Sequence, residues 1–123
     1  MLSIGPATKV YLAAGATDLR AGFDRLSVLV QAVLEQSAVS GHLFVFCNAT
    51  RTRIKILYWD GSGLWLLTKR LERGRYAWPA AAAAAEGAVS APRRLTLAHS
   101  ELLLLLSGID LAKTQRREWW RRE

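Results

Sequence analysis

Apolar positions recur with two different periods along the chain, and each change of period marks a new element. The stretch 9–13, Lys-Val-Tyr-Leu-Ala, predicts a short strand that Gly15 ends. Leu19, Phe23, Leu26, Val30 and Val33 follow at spacings of four, three, four and three, the single stripe of an amphipathic helix. Arg20, Asp24, Ser27, Gln31 and Glu35 fill its other side. Thr17 or Asp18 offers a side-chain oxygen to the free amides of the helix start, and Gly22 would let the helix approach a strand closely. Such a helix should cover one face of a sheet.

Beyond residue 41 the period shortens. Residues 42–48 are apolar on both sides, the pattern of a central strand or one covered on both faces. Residues 53–59 alternate, with Arg53, Lys55, Leu57 and Trp59 on one side and Ile54, Ile56 and Tyr58 on the other. Asp60-Gly61-Ser62-Gly63 is a hairpin signal, because glycine supplies the positive φ angles of tight turns, and residues 64–70 return antiparallel. With Gly61-Ser62 as the turn, Trp59 faces Leu64, Lys55 faces Thr68 and Arg53 faces Arg70. A turn at Thr50-Arg51 likewise sets Phe46 opposite Lys55. One face then collects Leu43, Val45, Cys47, Ile54, Ile56, Tyr58, Trp65 and Leu67, and is the better core face. The other collects His42, Phe44, Phe46, Asn48, Arg53, Lys55, Trp59, Thr68 and Arg70, mixing rings with cations. A one-residue bulge would exchange the faces beyond it.

The alanine run at 80–85 reads as a short helix or a linker. A second helix is expected from about Thr96 to Ser107, buried through its leucine block at 102–106 and terminated by Gly108. The pattern predicts an α+β fold with helices packed on a small, mainly antiparallel sheet, elements in the order β-α-β-β-β-α. Residues 1–112 would form one domain, with 113–123 a basic tail carrying Trp119-Trp120.

Charge adds a location to this pattern. Of the formal +7, residues 51–75 hold a net +5, from Arg51, Arg53, Lys55, Lys69, Arg70, Arg73 and Arg75 against Asp60 and Glu72. The tail holds a net +3 and everything else a net −1. So local an excess is what a polyanion-binding surface looks like. Lysine and arginine release counterions on meeting phosphates, and an exposed ring stacks a base for about 1–3 kcal/mol. Two placements are open for Phe44, Phe46 and Trp59: exposed for stacking, or beneath a helix.

Candidate chemistry is sparse. The single cysteine, Cys47, excludes an internal disulfide and sits in an apolar strand, which favours a buried, inert thiol. No glycine-rich phosphate loop, two-histidine metal spacing or nucleophile elbow is present, so neither cofactor nor metal is expected. A metal-dependent nuclease would need carboxylates such as Asp18, Asp24, Asp60 or Asp110, but Asp18 is better read as a helix cap and Asp60 as a turn former. No segment approaches the ~20 apolar residues of a membrane span, and the N-terminus lacks the basic region and long apolar run of a signal peptide. A cytoplasmic, non-enzymatic protein is expected.

Several blocks together resemble a known family. They are Thr17-Asp18-Leu19-Arg20-Ala21-Gly22-Phe23, Gly41-His42-Leu43-Phe44-Val45-Phe46, Ile54-Lys55-Ile56-Leu57-Tyr58-Trp59-Asp60-Gly61, and Lys69-Arg70-Leu71-Glu72-Arg73-Gly74-Arg75-Tyr76-Ala77-Trp78-Pro79, with Gly108-Ile109-Asp110 ending the match. In order, they cover most of residues 9–110 and are similar to TnpB, the Orf2-like accessory protein encoded beside the transposase in insertion sequences of the type numbered sixty-six. The turn Ala49-Thr50-Arg51-Thr52 is less basic here than is usual among relatives. The resemblance implies an accessory protein that works with partner proteins in transposition, and it carries over no catalytic residues. Together with the basic surface it makes DNA at the element ends, the transposase and other element-encoded proteins the expected partners. Self-association is left open. For DNA contact the candidates are Arg53, Lys55, Trp59, Lys69, Arg70, Arg73 and Arg75. The alternative is a protein–protein adaptor for the transposase complex that makes no DNA contact, with Trp and Arg as anchors.

Overall fold

Burial on both sides decides where each strand sits. The structure, a computed structural model, describes residues 5–78 and 94–108. The elements are β1 (Val10–Ala13), α1 (Phe23–Ala32), β2 (Leu43–Cys47), β3 (Arg53–Trp59), β4 (Leu64–Arg70), β5 (Arg94–Leu97) and α2 (His99–Leu106). They build one five-stranded sheet in the order β4-β3-β2-β1-β5. The wholly apolar β2 is its central strand and every residue of it is buried. β1 and β2 run parallel, which requires a long crossover, and α1 lies within it. The other three pairings are antiparallel.

Each face of the sheet has its own apolar layer. On one side Leu26, Val30 and Leu34 pack with Tyr11, Phe44, Phe46 and Leu57. On the other, Leu102 and Leu105 of α2 join Tyr76 and Trp78 over Val10, Leu12, Leu43, Val45, Cys47, Ile54, Ile56 and Tyr58. The Trp78 indole N–H donates to the Ala13 carbonyl at 3.0 Å, so its one polar group is satisfied inside the core. Burying each large side chain in these layers contributes about 1.5–3 kcal/mol.

The register agrees with the alternation in the sequence: Trp59 pairs with Leu64, Lys55 with Thr68 and with Phe46, and Arg53 with Arg70. At the hairpin tip Asp60 Oδ1 accepts from the amides of Ser62 and Gly63 at 2.9 Å each, and Gly61 takes the positive φ of 102°. The α+β class holds, with four corrections inside it. The helix expected from Thr96 starts at His99, because Arg94–Leu97 is a fifth strand paired with β1. Gly108 still closes the end of that helix, at φ 80°.

The second correction concerns the first helix, which begins at Phe23 rather than after Thr17 or Asp18. Asp18 instead closes a turn ahead of it, its carboxylate accepting from the Arg20 amide at 3.0 Å. Third, Gly22 is extended and has no atom within 4 Å of where a Cβ would stand, so close packing does not explain it. Fourth, Trp65 and Leu67, assigned to the core face, are 42% and 36% exposed, because β4 is an edge strand beyond the cover of α2. The alanine run, Asp110 and the tail at 113–123 lie outside the described residues.

Candidate nucleic-acid interface

One end of the sheet gathers the cations. β3 starts there with Arg53 and β4 ends there with Arg70, directly opposite each other. The β2–β3 turn adds Arg51, and the segment after β4 adds Arg73 and Arg75 on either side of Gly74, whose φ of 74° bends the chain. Backbone bonds tie these loops together: the Leu71 amide donates to the Thr52 carbonyl at 2.8 Å, and the Tyr76 amide to the Arg51 carbonyl at 2.7 Å. Arg51 itself sits in the left-handed region at φ 62°, unusual for a non-glycine residue.

Asn48 holds this turn in place. Its Oδ1 accepts from the amides of Thr52 at 2.9 Å and Arg53 at 3.1 Å, while its carbonyl accepts from the Arg51 amide at 3.1 Å. Sequence reasoning missed this positioning role. An asparagine at the end of a strand, one residue before a turn, is the signal that marks it.

Arg20 joins the same end through its pair with Asp18 at 2.8 Å. A shallow cleft of about 350 Å³ runs between Asp18, Leu19, Arg20, Asn48, Arg53, Lys55 and Thr68. Hydrogen bonds from Arg20 hold the Asp18 carboxyl down at about 2. Arg70 pairs with Glu72 at 3.2 Å, leaving both side chains largely exposed. Seven cations, Arg20, Arg51, Arg53, Lys55, Arg70, Arg73 and Arg75, thus face two carboxylates, Asp18 and Glu72, a net +5. So concentrated a positive field attracts phosphates.

The structure does not bring all the expected site residues together. Arg53, Arg70, Arg73 and Arg75 are exposed at this end. Lys55 is half-buried, its ammonium donating to the Ala21 carbonyl at 3.1 Å, so it also secures the loop before α1. Lys69 points to the opposite face and donates to the Leu106 carbonyl at 2.7 Å, where a cation complements a helix C-terminus. Trp59 is half-buried at the far end of β3, six residues or ~20 Å from Arg53. Phe44 and Phe46 are 0% and 1% exposed beneath α1 and present no ring to a ligand.

Both histidines have structural partners. His42 Nδ1 accepts from the Lys9 amide at 3.0 Å, and His99 Nε2 lies 2.6 Å from the Thr8 carbonyl. Burial pushes the Cys47 thiol up to about 11, which leaves it protonated and unreactive near neutral pH. Among the described residues, no three His, Cys, Asp or Glu side chains gather as a metal site would require. No helix among them is long and apolar enough to cross a membrane.

Comparison with known proteins places the chain in a family. The model of the family described as IS66 Orf2 like protein matches residues 8–116. The uncharacterized protein y4hO of Sinorhizobium fredii is 40% identical over 121 residues, covering 98% of this chain and 96% of its own length. A second Sinorhizobium fredii relative, the uncharacterized protein y4jC, is 33% identical over 116 residues, covering 93% of this chain and 92% of its own. No solved structure gives a significant match.

Proposed function

The chain belongs to the IS66 Orf2-like family, and we propose that this insertion-sequence-associated accessory protein binds DNA at the element ends through the arginine end of its sheet. The observation that carries the reading is the joining of two loops, by the Leu71–Thr52 and Tyr76–Arg51 bonds, into one surface bearing Arg51, Arg53, Arg70, Arg73 and Arg75. Arginine suits this role because its guanidinium stays charged and grips a phosphate with two parallel donors. The protein has no catalytic step of its own and assists the transposase by holding DNA. Supporting that part, Asp18 is committed to Arg20 and Asp60 to its turn, so neither is a free metal ligand.

A salt titration tests the proposal, with binding to the element's terminal sequence compared with random duplex and with single strands. Affinity is expected to fall linearly on a log–log plot, with a slope of about −0.9 per neutralised phosphate. Binding indifferent to salt would sink the idea. A pull-down with transposase after nuclease treatment separates the adaptor reading: a complex that persists there, with no DNA binding in the titration, makes the protein an adaptor instead.

A further inference from the structure

We infer that β4 is a self-association edge: two copies pair their β4 strands antiparallel about a two-fold axis at Leu67, fusing two sheets into one. Among the described residues β4 ends the sheet, with β3 as its one strand neighbour. Its seven residues pair with β3 one for one, without a bulge or a proline, and Trp65 and Leu67 stand exposed on it. A long, regular, apolar edge is a template for another strand, and proteins commonly guard such edges with charge. Here both charges of the strand, Lys69 and Arg70, lie at its last two positions, with Lys69 drawn to the Leu106 carbonyl on the face under α2, so the stretch Leu64–Thr68 carries no guarding charge.

The hairpin fixes which backbone groups face outward. The Asp60 amide donates to the Gly63 carbonyl at 3.1 Å, so that pair is hydrogen-bonded, and antiparallel pairs alternate from there. Trp65, Leu67 and Lys69 therefore turn their N–H and C=O groups toward β3. Leu64, Leu66, Thr68 and Arg70 turn theirs outward. The bond from the Leu71 amide to the Thr52 carbonyl keeps the same parity one step past the strand.

Only one symmetric register satisfies all four outward residues on both strands. With the axis at Leu67, Leu66 pairs with Thr68 and Leu64 with Arg70, in both directions. Moving the axis one residue strands either Leu64 or Arg70. Side chains fit the same register. On the face carrying Ile54 and Ile56, Leu67 meets its own copy and Trp65 meets Lys69, so both exposed apolar residues are covered. No like charges stand opposite each other, and the basic end of each copy lies beside the Asp60 turn of the other. This complementarity selects a second copy as the occupant over an unrelated strand.

Sedimentation of the full chain across concentration should show a dimer. Leu67→Cys should form a covalent dimer on mild oxidation, since residues facing across a non-hydrogen-bonded pair have Cα atoms about 4.5 Å apart, within disulfide reach. Val28→Cys, 63% exposed on α1, should not, and the buried Cys47 does not compete. Thr68→Pro removes an outward amide and no bond to β3, so it should shift the protein to monomer while the thermal melt by circular dichroism is retained. A monomer at every concentration overturns the inference. So does Leu67→Cys cross-linking no faster than Val28→Cys, the result expected if another segment of this chain or a foreign strand occupies the edge.

Discussion

The face of the sheet under α1 and the arginine end of the same sheet are close neighbours in the sequence, yet they do opposite things. Phe44 and Phe46 alternate in register with Arg53 and Lys55, and all four belong to one side of the sheet. The rings are sealed under Leu26, Val30 and Leu34, whereas Arg53 stands at the rim with Arg51, Arg70, Arg73 and Arg75. What separates them is position along the strand rather than face. The middle of β2 and of β3 is core on both sides, and it is where the chain turns at the strand ends that charge reaches solvent. The consequence for recognition is specific. Among the described residues the sheet carries a basic rim, the surface of the proposed phosphate contact, and its central face has no row of exposed rings.

The largest expected effect falls on the sealed side. Phe44→Ala should cost about 3–5 kcal/mol in denaturant unfolding, the usual cost of emptying an aromatic site in a packed core. A loss below about 1 kcal/mol would mean that α1 does not seal that face. The rim should behave in reverse. Replacing Arg53, Arg70, Arg73 and Arg75 together by alanine should leave the fold in place by circular dichroism. It should flatten the slope of log affinity against log salt by about 3.6, at 0.9 for each phosphate that an arginine no longer neutralises. An unchanged slope would move DNA binding away from this end.

Much of this is legible in the residue pattern, and what is not has identifiable causes. Alternation at Arg53–Trp59 and the Asp60-Gly61-Ser62-Gly63 turn set the register of three strands, because side chains on a strand have a strict period of two. Alternation says which residues share a face but not whether that face is covered, so Phe44 and Phe46 have two open placements until α1 is in position. The apolar stripe runs on through Leu19, which lies in the turn before α1 and packs on the same core layer, and so the pattern starts the helix too early. Arg94–Leu97 is hard to see as a strand because its partner, β1, is distant in the chain and a leucine run follows it closely. The clustering of arginine is visible in the charge balance. Its position at the rim depends on the two backbone bonds from Leu71 and Tyr76.

The opposite end of the β3–β4 hairpin should respond to acid rather than to salt. Asp60 is held below the usual carboxylate range first by the Ser62 amide, then by the Trp65 indole at 2.7 Å and the Gly63 amide. At the arginine end, Asp18 is likewise held at about 2 by Arg20. Both folded values lie below the unfolded value of about 3.9, so their stabilisation is fully present above it and is lost as pH falls through the folded values. Tm should therefore decline as pH drops below about 4. In Asp60→Asn, which keeps an acceptor oxygen but cannot titrate, that acid decline should be shallower. An equal decline would show that the turn does not hold its charge.

The smallest expected effect is at Trp59, and it bears most directly on the contrast between face and rim. Trp59 belongs to the same strand as Arg53 but pairs with Leu64 at the hairpin end, ~20 Å away. A nucleotide whose phosphate meets the arginines cannot place its base there. Trp59 contributes only if a strand of DNA runs the length of β3, where the half-buried ring offers part of its surface. Trp59→Ala should accordingly leave affinity for duplex and single strands within about a factor of two, well short of the 1–3 kcal/mol that a stacked base supplies. A loss of that full size, confined to single strands, would extend the interface from the rim along β3 and restore an aromatic contribution to recognition.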